Sequence, residues 1–231
     1  MRVIIPVYNI NEEFINLTDL AIQSFGKCEL IIIDNASPVG GGLLREKADI
    51  YIRNKENLGY AKAVNQGLKL CDDGELVAIV NNDVRVSPNW EKVAKEIMKD
   101  ESVMSTHFKM IPYDEPFNLG DKTWITGKER WCTGSFFVMR NKGLFDENFL
   151  NSYDDWDMHI RMYKAGFKTA YTNKAQYQHM NSFTQQIIPN RSENDERNRE
   201  YFKQKHGDYP ENIWQQMFPE QMNQDYQKGF E

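Results

Sequence analysis

The chain has 231 residues, with 28 Lys and Arg against 34 Asp and Glu and a formal net charge of -6. That length suits one domain of ordinary to large size, and a 40% hydrophobic content is enough to bury a core. The acidic balance argues against non-specific nucleic-acid binding, which needs a basic face, although a small cluster of Lys and Arg can still hold a diphosphate.

Cys28, Cys71 and Cys132 are widely spaced and suggest neither a disulfide framework nor a metal-ligand pattern, so a reducing cytoplasm fits best. The start of the chain lacks the apolar stretch of a signal peptide. The longest apolar runs, at 30–33 and 76–80, fall far short of the ~20 residues that span a bilayer and read as buried strands. The expectation is a cytoplasmic chain, with peripheral contact at the inner face of a membrane left open.

Residues 2–8 form a short β-branched run, a strand ended by Asn9. Asn11 can cap the following helix, with Glu12 and Glu13 near its positive end. Phe14, Leu17, Ala21 and Phe25 recur at helical spacing before Gly26. Residues 29–34 read as a strand covered on both faces, 38–42 as a flexible loop, and 50–53 as a brief strand. A helix over 59–70 with Ala61, Val64 and Leu68 inward precedes a buried strand at 76–80. Ser87 and Pro88 start another helix, with Trp90, Val93, Ala94 and Ile97 facing inward. This alternation predicts a mostly parallel sheet with helices on both faces.

Beyond residue 100, longer strands are expected at 103–111 and 131–140, then a helix over 154–165 ended by Gly166. Two strands at 168–172 and 175–179 follow. From Thr184 the chain is polar and reads as surface helices and an extended tail, anchored by Tyr201, Phe202, Trp214 and Phe218.

In open α/β sheets, ligands bind beyond the carboxyl ends of the strands. Three expected strands end in polar residues suited to a nucleotide: Pro6-Val7-Tyr8-Asn9, Asp34-Asn35-Ala36-Ser37 and Asn81-Asn82-Asp83. Singly, Asp34 and Asp83 read as solvated loop or cap residues, but three such ends in one sheet point toward a site. Asp83 is the strongest metal-ligand candidate, since a divalent cation can bridge diphosphate oxygens and carboxylate suits a hard cation. The amides of Asn81 and Asn82 either bind ribose or phosphate or shape a turn. Asn57 and Gly59 open a helix whose free N–H groups favour an anion, with Lys62 in its first turn as a phosphate ligand or a solvated lysine.

The segment Ser152-Tyr153-Asp154-Asp155-Trp156-Asp157 is the densest acidic cluster beside aromatics. Ser152 as N-cap with Asp155 three residues on resembles a capping box. Three acids among two aromatics exceed what capping needs. They suit a general base whose pKa neighbouring acids raise toward neutral, with Trp156 stacking on a sugar ring. His179 follows a strand and is either structural or a second metal ligand that favours Mn²⁺ over Mg²⁺. Trp124, Trp131 and Trp156 form a glycan platform or belong to the core.

In order, these segments resemble the family 2 glycosyltransferases, and more closely their rhamnosyltransferase-like branch, over residues 3–182. Residues 3–9 are similar to the opening strand. Residues 31–37 are similar to the second strand, whose aspartate, here Asp34, contacts the base. Residues 57–67 match the NxGxxxxxNxG stretch. Asn81-Asn82-Asp83 stands in place of the DXD motif without its first aspartate, which leaves a metal contact by Asn81 open. Thr133, Gly134 and Ser135 look like the donor-sugar stretch, beside which Trp131 is placed. Residues 143–147 match GxFDE. Asp154 and Asp155 resemble the EDxDxxxR…G segment, whose second acid is the catalytic base, and His179 falls where relatives carry a metal-binding histidine.

The resemblance implies a GT-A fold in the α/β class: a Rossmann-like, mostly parallel central sheet flanked by helices, a smaller acceptor-side β region and a helical C-terminal tail. It implies a domain over 1–183, with a nucleotide-binding half at 1–100 and an acceptor half at 101–183, and an extension at 184–231. The implied activity is inverting, single-displacement transfer from a UDP- or dTDP-sugar to a hydroxyl of a glycan or lipid-linked acceptor, in polysaccharide biosynthesis. The cofactor is a divalent cation, Mn²⁺ or Mg²⁺, and a homodimer is left open. The alternative is a nucleotide-sugar-binding protein that kept the fold and lost catalysis. The absence of G-x-G-x-x-G after the first strand and of G-x-x-x-x-G-K-[ST] disfavours dinucleotide-binding and P-loop proteins.

Overall fold

The computed structural model describes residues 1–126, 134–180 and 191–217. Strand β1 (Arg2–Val7) pairs in parallel with β2 (Glu29–Asp34) on one side and β4 (Leu76–Val80) on the other, and β2 pairs in parallel with β3 (Ile50–Arg53). The order then continues through β8 (Phe136–Arg140), β6 (Val103–Ile111), β9 (Lys168–His179) and β5 (Val84–Val86), with β7 (Thr123–Thr126) also on β9. Sequential strands leave β1 in opposite directions, so β1 and β4 flank a topological switch point, the usual place for a ligand crevice. The half beyond β4 is mostly antiparallel, with β8 antiparallel to both β4 and β6.

Alternate side chains of each strand face opposite layers. Val3, Ile5 and Val7 pack with Ala21 and Phe25 of α1 (Glu12–Ser24) or its end, Leu44 of α2 (Gly41–Lys47) and Trp90 of α4 (Trp90–Ile97). Ile4 faces the other way, against Ala61, Val64 and Leu68 of α3 (Tyr60–Leu68) and Met158 of α5 (Asp154–Lys164). A Cβ on Gly67 of α3 would stand 2.6 Å from Ile4 Cγ2, so only glycine permits this close approach to the sheet. A separate cluster of Phe149, Ile160, Phe202 and Ile213 joins α5 to α6 (Arg191–His206) and α7 (Pro210–Met217).

Asn11 caps α1 as expected, its Oδ1 accepting the Phe14 N–H at 3.2 Å. Three expectations are corrected. The loop expected at 38–42 leads into α2, whose N-cap Gly40 has φ +80°, and only Leu44 of that helix is buried. The two strands at 168–172 and 175–179 are one strand, β9, whose pairing with β6 shifts register between Phe108 and Lys109 and so absorbs the extra residues 173–175. The capping box at Ser152 does not form: the N-cap of α5 is Tyr153, at φ +66° and without a side-chain cap bond. The start of the strand expected at 131–140 lies outside the described residues, as do Trp131, Thr133, Phe218 and the Trp214 side chain. Among the described residues, no helix is long and apolar enough to cross a membrane.

Candidate active site

The turn between β4 and β5 carries Asn81, Asn82 and Asp83. Val84 of β5 pairs with His179 at the end of β9. That pairing brings Asp83 against His179, with Oδ1 and Nε2 3.1 Å apart and Asp83 buried. The Asn81 Oδ1 is buried and has no hydrogen-bond partner among the described residues. One carboxylate oxygen, one imidazole nitrogen and one orphaned amide oxygen thus lie in or beside a single turn. This donor set suits a borderline divalent cation. Among the described residues no three His, Cys, Asp or Glu side chains group to hold a metal, so the remaining ligands would come from a substrate such as a diphosphate.

Asn82 has a different environment. Its Nδ2 donates to Asn9 Oδ1 (3.1 Å) and Thr18 Oγ1 (3.0 Å), while the Asn9 N–H donates to Ser37 Oγ (2.9 Å). Asn9 and Asn82 therefore tie the ends of β1 and β4 to α1. Asp34 is 0% exposed. Its Oδ1 accepts the Ser37 N–H (2.8 Å), and its Oδ2 accepts the Tyr51 hydroxyl (2.6 Å) and the Arg53 guanidinium. The guanidinium also donates to the Ser37 carbonyl (2.9 Å). Pro6 and Tyr8 are half-buried at the end of β1.

At the head of α3, Gly59 adopts φ +83°, a backbone that favours glycine. Its N–H donates to Asn57 Oδ1 (3.0 Å), and the Tyr60 N–H donates to Asn151 Oδ1 (2.8 Å). Two of the donors expected to face an anion are therefore already engaged, while Lys62 is exposed.

The second acidic centre lies at the head of α5. Asp155 is half-buried, with Oδ2 accepting the Gly134 N–H (3.0 Å) and Oδ1 accepting the Trp156 N–H (2.9 Å). Burial, partly offset by these backbone donors, raises its pKa to about 6. Asp154, 4% exposed, has an Oδ2 with no partner among the described residues. Burial first, then the adjacent Asp155, raises its pKa to about 8. Burial raises both carboxyls of this adjacent pair, so between them they retain a proton near neutrality.

A two-residue strap joins the centres. The Asn81 N–H donates to the Ser135 carbonyl (2.8 Å), the Gly134 N–H reaches Asp155, and the Tyr60 hydroxyl donates to the Gly134 carbonyl (2.6 Å). A Cβ on Gly134 would lie 3.3 Å from Asp155 Oδ2, a tight contact that glycine avoids. The Ser135 hydroxyl, itself buried, meets Tyr177 at 3.0 Å. The structure thus brings together Asp83, His179, Asn81, Gly134, Ser135, Asp154 and Asp155. Trp156 is half-buried, its backbone N–H on Asp155 Oδ1 (2.9 Å) and its ring packed against the cluster around Phe149 and Phe202. Trp124 lies on β7 with its ring 5.7 Å from that of Tyr171.

Sequence reasoning missed several members. Tyr60, within the 57–67 stretch, was not among the candidates. His159 stands four residues after Asp155, a spacing that puts both on one helix face. Its Nδ1 lies 2.6 Å from the Asp155 carbonyl, and its Nε2 lies 3.0 Å from His107 Nε2. With the carbonyl accepting from Nδ1–H, His159 Nε2 must accept from His107 Nε2–H. Burial holds both imidazoles neutral, His107 well below its usual range and His159 down to about 4. Asp157, 0% exposed, is paired with Arg161 (2.8 Å), Lys205 (2.6 Å) and His206 (2.8 Å).

Several solved glycosyltransferase structures resemble this fold. GalNAc-T7 with UDP, GalNAc and Mn²⁺ matches with a TM-score of 0.60 at 15% identity over 77% of this chain and 43% of that one. TarS 1-349 of S. aureus in complex with UDP gives 0.59 at 15% over 87% and 70%. The mannosyltransferase PcManGT from Pyrobaculum calidifontis, in complex with GDP-Man and Mn²⁺, gives 0.58 at 17% over 77% and 56%. Identities this low show the fold alone, and the fold is GT-A. In a second TarS 1-349 structure the chain spans 60% of the matched protein, and it spans 36% of the longer TarS chain. No curated protein sequence matches the chain. The family model for glycosyl transferase family 2 matches residues 2–153, about two thirds of the sequence, and the chain therefore belongs to that family.

Proposed function

We propose that this glycosyltransferase carries out inverting, single-displacement transfer from a nucleoside-diphosphate sugar, UDP- or dTDP-linked, to a hydroxyl of a glycan or lipid-linked acceptor. The observation that carries this reading is the Gly134–Ser135 strap. It bonds to the Asn81–Asp83 turn on one side and to Asp155 on the other, so a leaving group and a base can address one anomeric carbon. Asp155 acts as general base: it accepts the acceptor hydroxyl proton while the Gly134 and Trp156 N–H groups hold its carboxylate in place. A base with a pKa near the working pH contributes ~10²–10⁴-fold in rate. Asp83 and His179 would hold a divalent cation, Mn²⁺ or Mg²⁺, with the Asn81 amide oxygen available beside them. Such a cation supplies charge stabilisation to the departing diphosphate.

Relatives of the same fold bind UDP with Mn²⁺ and GDP-Man with Mn²⁺, which supports a nucleotide-sugar donor and a metal here. The test is hydrolysis of UDP-glucose, UDP-N-acetylglucosamine, dTDP-rhamnose and GDP-mannose with MnCl₂. Release of nucleoside diphosphate from at least one, abolished by EDTA, is expected. Thermal stabilisation by UDP without any turnover would instead identify a binding protein and reject the transferase reading.

A further inference from the structure

Asn198 lies on α6, beyond the family match at residues 2–153, and its side chain is 0% exposed. It does not face another helix of the extension. Its Oδ1 accepts the Leu150 N–H (3.1 Å), and its Nδ2 reaches the Leu150 carbonyl (3.0 Å), the Ser152 carbonyl (3.2 Å) and the Ser152 hydroxyl (2.8 Å). The turn it grips contains two non-glycine residues in the left-handed region, Asn151 at φ +58° and Tyr153 at φ +66°. Such residues are strained and persist only where their surroundings hold them. This turn feeds directly into Asp154 and Asp155, and through the Asn151 side chain it also caps the first N–H of α3.

Further contacts on the same face of α6 fix its position. Phe202, four residues on, packs 6.2 Å from both the Phe149 and Tyr153 rings, and Lys205 and His206 reach Asp157 of α5. We propose that Asn198 is a positioning residue for Asp155: α6 completes the active site by holding the strained 150–153 turn that aims the base. The proposal rests on the transferase reading. A displacement of about 1 Å at a catalytic group can cost ~10²-fold in rate. Loss of these bonds therefore acts on turnover and leaves the Asp83–His179 side unaltered.

The test compares Asn198→Leu, similar in size but unable to make these bonds, with Ile213→Ala, which hollows the same apolar cluster and leaves the bonds in place. The readout is hydrolysis of whichever of the four nucleotide sugars the wild-type chain cleaves, below the melting temperature of both variants. Asn198→Leu should lose about tenfold or more in kcat, with donor KM within about threefold and a displaced acid limb in its pH profile, while Ile213→Ala keeps wild-type kcat and profile. Equal kcat in Asn198→Leu and wild type, or parallel loss in both variants, overturns the proposal. Should Asn198→Leu not fold, Asn198→Asp loses the three Nδ2 bonds and keeps an acceptor for the Leu150 N–H, and unchanged kcat there overturns it equally. A wild-type chain that cleaves none of the four sugars defeats the transferase reading instead, so the two failures are distinguishable.

Discussion

Asp154 and Asp155 are adjacent in sequence and meet different surroundings. Asp155 accepts two backbone N–H groups, whereas Asp154 keeps one buried oxygen without a partner among the described residues. The sequence suggested a carboxyl raised toward neutral by its acidic neighbours. For Asp155 the leading cause is burial, which a run of acids does not reveal, because desolvation depends on what folds over the helix. The position of Asp155 after a family motif was legible, but the Gly134 N–H that holds it comes from 21 residues upstream. We expect Asp155→Asn to fold and to bind UDP as wild type does while kcat falls ~10²-fold or more. Wild-type kcat should fall as pH drops below about 6, where the base takes up a proton. Steady-state kinetics between pH 4.5 and 8 check both, and near-normal turnover in the variant would remove Asp155 from its role.

At the scale of elements, most strands were legible and a glycine-led helix was not. Strands β2, β3, β4 and β6 coincide with their expected bounds; β2 and β4 have near-continuous apolar centres that admit few alternatives. Helix α2 was hidden by Gly40, Gly41 and Gly42. Strand β5, with 3 residues, is too brief for any periodicity, and β7 follows a polar stretch with Pro112, Pro116 and Gly120. The capping box failed for a tertiary reason: the Ser152 hydroxyl meets Asn198 of α6, and the head of α5 forms through a left-handed Tyr153.

That helix head makes a prediction about stability. Asp154 has a pKa raised to about 8 from 3.8, so the folded state binds more protons than the unfolded one between those values. Its favourable term is complete below pH 3.8 and is lost as pH rises through about 8. Asp154→Asn keeps the shape and removes the titration. Urea midpoints at pH 5 and pH 8.5 should show the variant gaining on wild type at the higher pH. An equal difference at both values would mean that Asp154 stays ionised in the folded chain.

At the scale of the whole molecule, the fold brings the Asp83–His179 pair and Asp155 to the two sides of the Gly134–Ser135 strap. The Asp83 turn closes β4, His179 closes β9, and β8, lying beside β4 and preceded by Gly134 and Ser135, links both to α5. Sequence order could not show that His179 returns to Asp83 across β5, nor that α6 reaches back to α5. Both are pairings between segments distant in the chain. The most direct test is a crystal soaked with UDP and MnCl₂, with Mn²⁺ located by its anomalous signal. The ion is expected between Asp83 and His179, and the diphosphate on the Gly134 side facing Asp155. An ion bound elsewhere, or a diphosphate separated from Asp155 by the body of the sheet, would contradict it.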